Sequence, residues 1–451
     1  MTRWIDNLTT SLAKREEDNL YRYRNTIDSP QGAVISIAGR DYINFSSNDY
    51  LGLANHPEVV SSFQTAIKEY GAGAGASHLV VGHQQPHHDL EKAIAKFTGR
   101  DRALVFTSGY MANLGILSGL LSKGDAVIQD KLNHASLIDG AQLSGADFLR
   151  FRHKDLDHLR VQLDKTTDCR RKILAVDGVF SMDGDMSPLN QLSSICNDYD
   201  AALMVDDAHG FGWLGESGAG VSEYYHLDQD NLPILMGTLG KAIGVAGAFV
   251  AGSEALIESL IQFSRSYIYT TALPPACAVA VQQSLKIIRC EPQRRAHLKA
   301  LIDYFKKKTA RLNVQFLPSS SAIQALVVGD NRDALALSEK LMEQGIIVSA
   351  IRPPTVPSGT SRVRLALSAA HKEADIEALV NALVASFATV ALLSARPLVT
   401  SAWACLCGFF VLRFAVSAGG AARGARAAVT GKASRTSMSI FLSSWARQLS
   451  W

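Results

Sequence analysis

A lysine, two histidines, an aspartate and a glycine-led helix fall in this chain in an order that suits one kind of chemistry. Lys241 closes Thr238-Leu239-Gly240-Lys241 after the apolar run Ile234 to Thr238. Thirty-five residues before it, Asp206 ends the run Ala202 to Asp206, and His209 follows in VDDAHG. His134 stands in KLNHASL after Ala126 to Gln129, and Ser181 follows ILAVDGVF. Ser108-Gly109-Tyr110 follows ALVFT and opens the helical stretch MANLGILSGLL.

Each residue alone says little. A lysine after a short strand is ordinarily a solvated surface residue, and a Ser-Gly pair is an ordinary turn. Asp206-Asp207 has the composition of a helix cap or a metal-ligand pair, and a lone histidine that of a hydrogen-bonded core residue. Together, however, they supply a lysine to form an imine, a carboxylate to keep a pyridine nitrogen protonated, and a ring to stack on it. Hydroxyls and the amides of a helix N-terminus complete the set with a phosphate seat. The cofactor implied is pyridoxal 5'-phosphate.

Such residues must be delivered by strand ends, and the pattern provides the strands. Apolar runs of strand length recur at 103–107, 126–129, 173–177, 202–206, 234–238 and 248–251, with helical or loop stretches between most of them. Near-continuous apolar strands separated by helices predict a mostly parallel sheet covered on both faces, whose ligands gather at the carboxyl ends. A charged amphipathic helix is expected over 5–24, a strand over 41–45 and a helix near 57–70. A glycine-rich run from Gly71 to Gly82 follows, where tight turns are accessible. After a long helical stretch around 273–312 come strands at 322–328, 346–350 and 363–366 and helices at 333–344 and 372–383, which fit a smaller α+β domain.

Composition removes other classes. With 451 residues, 47% of them hydrophobic, and 34 Gly against 13 Pro, the chain is neither disordered nor collagen-like and can bury a large core. A net charge of +3 gives no case for nucleic acid. The six cysteines form no CxxC pair and no Cys/His metal spacing, so no metal and no disulfide framework are expected. The polar start MTRWIDNLTTSLAKREED is unlike a secretory signal, and a cytoplasmic location is expected.

NFSSNDYLGL (44–53), GVFSMDGD (178–185), VDDAHG (205–210), TLGKAIGVAG (238–247) and IRPPTVPSGTSRVRL (351–365) carry a resemblance. From about residue 3 to about 383 the chain resembles the α-oxoamine synthases, fold-type I pyridoxal-phosphate enzymes. The resemblance implies an α/β fold: a large domain with a mostly parallel seven-stranded sheet covered by helices, plus a smaller C-terminal α+β domain. Its divisions would be an N-terminal helix and arm (1–50), the large domain (51–285), the small domain (286–383) and a tail (384–451).

The same resemblance implies roles. Lys241 would bond the cofactor and serve as general base, Asp206 would pair with the pyridine nitrogen, His134 would stack on the ring, and His209 would contact its phenolic oxygen. Gly109, Tyr110, Ser181 and Thr238 would line the cofactor. Arg364 would hold a carboxylate, with Arg22, His134 and Thr355 facing the acyl substrate. SAIQALVVGDN (321–331) and the 351–365 segment are most similar to the family member of biotin synthesis. That member condenses L-alanine with a pimeloyl thioester, on coenzyme A or acyl carrier protein, as a homodimer. Members that use glycine or serine with other acyl chains are the alternative, and a catalytically silent binding protein of the same fold is the non-enzymatic one.

Three features depart from the family pattern. Asp177 stands where relatives commonly carry Glu, and His78 sits in the glycine-rich run where relatives often have a small residue. From Val384 onward there is no Asp or Glu but seven basic residues, leaving 38 basic against 42 acidic residues before it. The tail's apolar stretches, 384–395 and 398–412, are each short of the roughly 20 residues a spanning helix needs, so no membrane is expected. Its abrupt onset reads as translation in another frame or past the usual end, outside the fold, with a membrane-surface or lipid-facing appendage as the alternative.

Overall fold

The computed structural model describes residues 3–312 and 314–393, with side chains given as far as Ser386. Seven strands form the central sheet in the order Arg102–Phe106, Ala248–Gly252, Ile234–Thr238, Ala202–Asp206, Lys172–Asp177, Ala126–Asp130, Asp147–Phe151. Only Ala248–Gly252 runs antiparallel to its neighbours. Along Ala202–Asp206, Leu203 and Val205 join one buried cluster while Met204 joins another. Alternate side chains thus feed two cores, one on each face, which is why these runs read as continuously apolar.

The register brings chemistry to one edge. Asp177 pairs with Asp206, and Asp206 with Met236, so Asp130, Asp177, Asp206 and Thr238 all end their strands on the same side. The helix Gly109–Leu120 starts from that side too, with Ser108 accepting a hydrogen bond from the Met111 amide as its N-cap.

Two smaller sheets complete the fold. Ile323–Gly329, Ser361–Ala366 and Ser349–Ile351 are antiparallel. The hairpin Val34–Ile37 and Arg40–Asn44 accepts Ile346–Ile347 as a third strand. The strand expected over 346–350 is therefore two short ones serving different sheets. The helical stretch expected over 273–312 is likewise two helices, Pro275–Cys290 and Pro292–Thr309, because Pro292 cannot continue the first.

The N-terminal helix expected over 5–24 stops at Glu17. Asn19 takes φ +56°, and the Arg352 guanidinium binds the carbonyls of Asn19 and Tyr21, so the following segment is pinned to the loop after strand Ser349–Ile351. Helix Glu373–Leu393 runs through residue 383 without a break. Expectations for 394–451 lie outside the described residues, and among the described ones no helix is long and apolar enough to cross a membrane.

Candidate active site

Lys241 and Asp206 meet at the carboxyl edge of the sheet. Lys241 Nζ lies 2.8 Å from His209 Nε2, and His209 Nδ1 lies 2.6 Å from the Tyr50 hydroxyl. That hydroxyl donates to Asn48 Oδ1 at 3.2 Å, and the same oxygen accepts from Arg364 at 3.0 Å. One assignment satisfies every group: Lys241 donates to Nε2, Nδ1–H donates to Tyr50, and Tyr50 donates to Asn48. The amine is thereby linked to the arginine through three side chains.

Burial dominates the electrostatics. It pushes Lys241 down to about 8, against the pull of the Asp206 carboxylate, and the Arg364 charge adds to the depression. His209 falls well below the usual histidine range, first by burial and then through the Lys241 charge. Burial also lifts Tyr50 to about 12. A neutral His209 beside an amine that gives up its proton near neutrality is suited to base chemistry.

Asp206 is held by Asn113, whose Nδ2 donates to Oδ2 at 2.7 Å, and by the Ala208 amide on Oδ1 at 3.0 Å. A carboxylate accepts more than two bonds, so capacity for a cationic ring nitrogen remains. Asp177, buried beside Asp206, is pushed well above the ordinary carboxylate range and accepts from the His134 amide at 2.8 Å. His134 then caps helix Ala135–Ser144, its Nδ1 accepting from Ser136. Burial lowers its pKa, opposed by Asp206.

The other residues expected at the site have the following surroundings. Tyr110 stands edge-on to His134 with 6.4 Å between ring centroids and donates to Asp139. Thr238 Oγ1 donates to the Gly247 carbonyl and accepts from the Gly240 amide. An alanine-sized side chain at Gly109 would come no closer than 3.6 Å to Met236, so Gly109 is not forced by crowding within the chain. Arg364, buried, donates to the Ser181 carbonyl at 2.6 Å. Arg22 donates to Thr355 at 3.1 Å across 333 residues of sequence. A cavity of about 700 Å³ is lined by Arg22, His134, Ser181, Thr355 and Arg362, and a second of about 450 Å³ by Lys241, Asn48 and Asp49.

Asn113, Asn48 and Tyr50 were not among the expected site residues. Tyr50 and Asn48 lie in the NFSSNDYLGL landmark, while Asn113 is a polar residue in an otherwise apolar helix, a signal that asks for a buried partner. Side chains of His78, His83 and His87, and of His83, His88 and Glu91, bring ligand atoms within 4.8 Å of one another, a proximity the sequence spacing did not suggest. In the first group His87 has both ring nitrogens engaged, by the Gln84 amide and the Leu273 carbonyl.

A partly buried amine of lowered pKa hydrogen-bonded to a histidine, a strand-end carboxylate with free acceptor capacity and a capped helix start fit pyridoxal phosphate. Residues 40–383 match the aminotransferase class I and II family. The chain is similar to the 8-amino-7-oxononanoate synthase of Saccharophagus degradans, 56% identical over 83% of this chain and 95% of that protein. To the protein of the same name from Hahella chejuensis it is 52% identical, over 85% of this chain and 96% of that protein. Among solved structures, a variant of serine palmitoyltransferase from S. paucimobilis with a bound PLP–myriocin aldimine superposes with a TM-score of 0.81 at 29% identity, over 86% of this chain and 98% of that one.

Proposed function

The chain belongs to the aminotransferase class I and II family and, within it, to the 8-amino-7-oxononanoate synthases, pyridoxal-phosphate-dependent acyltransferases of biotin synthesis; on that premise we propose that it condenses L-alanine with a pimeloyl thioester. The thiol carrier, coenzyme A or acyl carrier protein, is released together with carbon dioxide. The observation that carries this reading is the linked set Lys241, His209, Tyr50, Asn48 and Arg364, which joins a buried guanidinium to the amine in one hydrogen-bonded network.

Bound pyridoxal phosphate supplies an aldehyde for an amine and a ring that accepts the electron pair left at an amino-acid Cα. Lys241 would hold it covalently, Asp206 would keep its ring nitrogen protonated, His134 would cover one face, and His209 would meet the phenolic oxygen. Gly109, Tyr110, Ser181 and Thr238 would line it, with the start of helix Gly109–Leu120 facing the phosphate. Arg364 binds the alanine carboxylate through its planar guanidinium. The Lys241 amine takes the alanine Cα proton. Arg22, His134 and Thr355 orient the acyl chain so that the new carbon–carbon bond forms at the thioester carbonyl. The thiol leaves, the alanine carboxylate is lost as carbon dioxide, and Lys241 returns a proton to the same carbon.

A homodimer fits the surface: Leu79, Val80 and Val81 are 51%, 71% and 74% exposed in one short turn, apolar area that a second subunit would cover. The described cysteines, Cys169, Cys196, Cys277 and Cys290, are free thiols, which suits a reducing cytoplasm. The test is product formation by mass spectrometry with alanine or glycine against pimeloyl or acetyl thioesters. Alanine with the pimeloyl thioester should be preferred by about a hundredfold in kcat/KM. Preference for glycine with an acetyl thioester would overturn the assignment, and Lys241→Ala should abolish turnover in either case.

A further inference from the structure

The loop Phe180–Asp185 hangs between the two domains. On the small-domain side, Arg364 holds the Ser181 carbonyl, Arg362 pairs with Asp183, and Ser319 donates to the Gly184 carbonyl at 2.9 Å. On the large-domain side, the side chains of His153 and Lys154 both hold Asp185, and His153 also reaches Asp130 and Phe180. Its Nε2 lies 2.9 Å from Asp185 Oδ2, its Nδ1 lies 3.0 and 3.2 Å from the two oxygens of Asp130, and its ring meets Phe180 edge-on at 4.5 Å.

Asp130 is fully committed. Its oxygens accept from the Leu132 and Lys154 amides, so the same carboxylate shapes the segment that carries His134. The loop bearing Ser181 and the segment bearing His134 both line the cavity of about 700 Å³. A neutral imidazole has one N–H and can donate to only one carboxylate, so a ring bonded to carboxylates at both nitrogens must carry two hydrogens. The charged groups that face it are Asp130, Asp185, the more distant Asp183 already paired with Arg362, and Lys154, whose ammonium shares Asp185 Oδ2 at 2.8 Å. Anions outnumber the cation, and the ring is pushed up to about 9 despite its burial.

We propose that His153 is a positioning residue for the acyl substrate: a charged strut that fixes the separation of the His134 and Ser181 loops and so the width of the acyl cavity. This rests on the reading that the cavity takes a pimeloyl thioester. His153 touches no reacting atom; it acts through the two loops.

Steady-state kinetics of the holoenzyme between pH 6.5 and 10.5 test it. His153→Asn, which loses the charge, should raise KM for the pimeloyl thioester about tenfold at pH 7.5 while KM for alanine stays within about twofold. His153→Lys keeps a cation and should recover most of the loss. The wild-type thioester KM should climb above about pH 9 as the ring loses its proton, and the Lys variant should stay flat there. Asp185→Asn removes one anion and should move the wild-type climb to lower pH. A thioester KM unchanged in His153→Asn, a joint rise of both KM values, or the same alkaline climb in His153→Lys would overturn the proposal. Should wild type turn over no pimeloyl thioester, the substrate reading fails instead. The strut is then judged by melting temperature: the advantage of wild type over His153→Asn must shrink between pH 6.5 and 9.5, and an advantage that stays constant would sink it.

Discussion

Lys241 lies under opposing influences that can be separated by pH. Burial removes water from its ammonium and lowers its pKa to about 8, although Asp206 works in the other direction. Since only the free amine attacks an aldehyde, capture of pyridoxal phosphate by the apoprotein should speed up with pH and level off above about 8, as followed by absorbance after rapid mixing. A rate that keeps climbing tenfold per unit through pH 9.5 would show an ordinary lysine. Asn113 offers a second test, because its bond to Asp206 joins an amide to a buried carboxylate and is of the kind that contributes about 1.5–3 kcal/mol. Asn113→Leu keeps the shape, and kcat/KM should fall by about ten- to a hundredfold with the fold intact by circular dichroism. The strand-end residues Lys241, Asp206 and His134 were legible in sequence because an apolar run announces where a strand stops. Asn113 was not, since only the neighbouring strand shows what an asparagine in an apolar helix bonds to. The meeting of Arg22 with Thr355 depended on Arg352 anchoring the segment behind Glu17, which no local pattern encodes.

At the scale of elements, the turn Phe180–Asp185 is where the end of central strand Lys172–Asp177 locks onto the sheet of Ile323–Gly329 and Ser361–Ala366. Gly184 has φ +78°, and a Cβ there would lie 2.2 Å from the Ile323 carbonyl oxygen and 2.6 Å from Ser319 Oγ. Both the backbone conformation and the space therefore demand glycine. Gly184→Ala should destabilise the protein by about 2–4 kcal/mol and, by pushing the turn off strand Ile323–Gly329, raise KM for the acyl substrate. Denaturant unfolding checks the first, kinetics the second, and a change below about 0.5 kcal/mol would show that the strand yields. Six of the seven central strands were readable as apolar runs. Asp147–Phe151 was not, because DFLRF carries an Asp and an Arg and is only partly covered at the sheet edge. A short apolar run also could not reveal that 346–351 divides between two sheets, because partner choice is set by the hairpin Arg40–Asn44 on one side and Ser361–Ala366 on the other.

On the scale of the whole chain, all the residues proposed for the site lie between Arg22 and Arg364, and the last described element is helix Glu373–Leu393. Ile376, Leu379 and Leu383 are fully buried as it packs on helices Pro292–Thr309 and Asn331–Glu343. Ser386, 1% exposed, accepts from Gln344 at 2.9 Å. The helix thus contributes to the small domain beyond the family match, which ends at residue 383. Two truncations separate these contributions. Removal of 394–451 leaves every residue proposed for the site in the chain, and activity and melting temperature should both be retained. Ending the chain after 383 also deletes Ser386, leaves the Gln344 amide only its bond to the Lys340 carbonyl and shortens the helix, a loss of about 1–2 kcal/mol or a drop of about 2–4 °C. If the longer truncation product loses activity, residues beyond 393 act on the site in a way that the network around Lys241 does not explain. If the shorter one melts with the full chain, the turn at Ser386 adds nothing to the small domain's hold on Arg364.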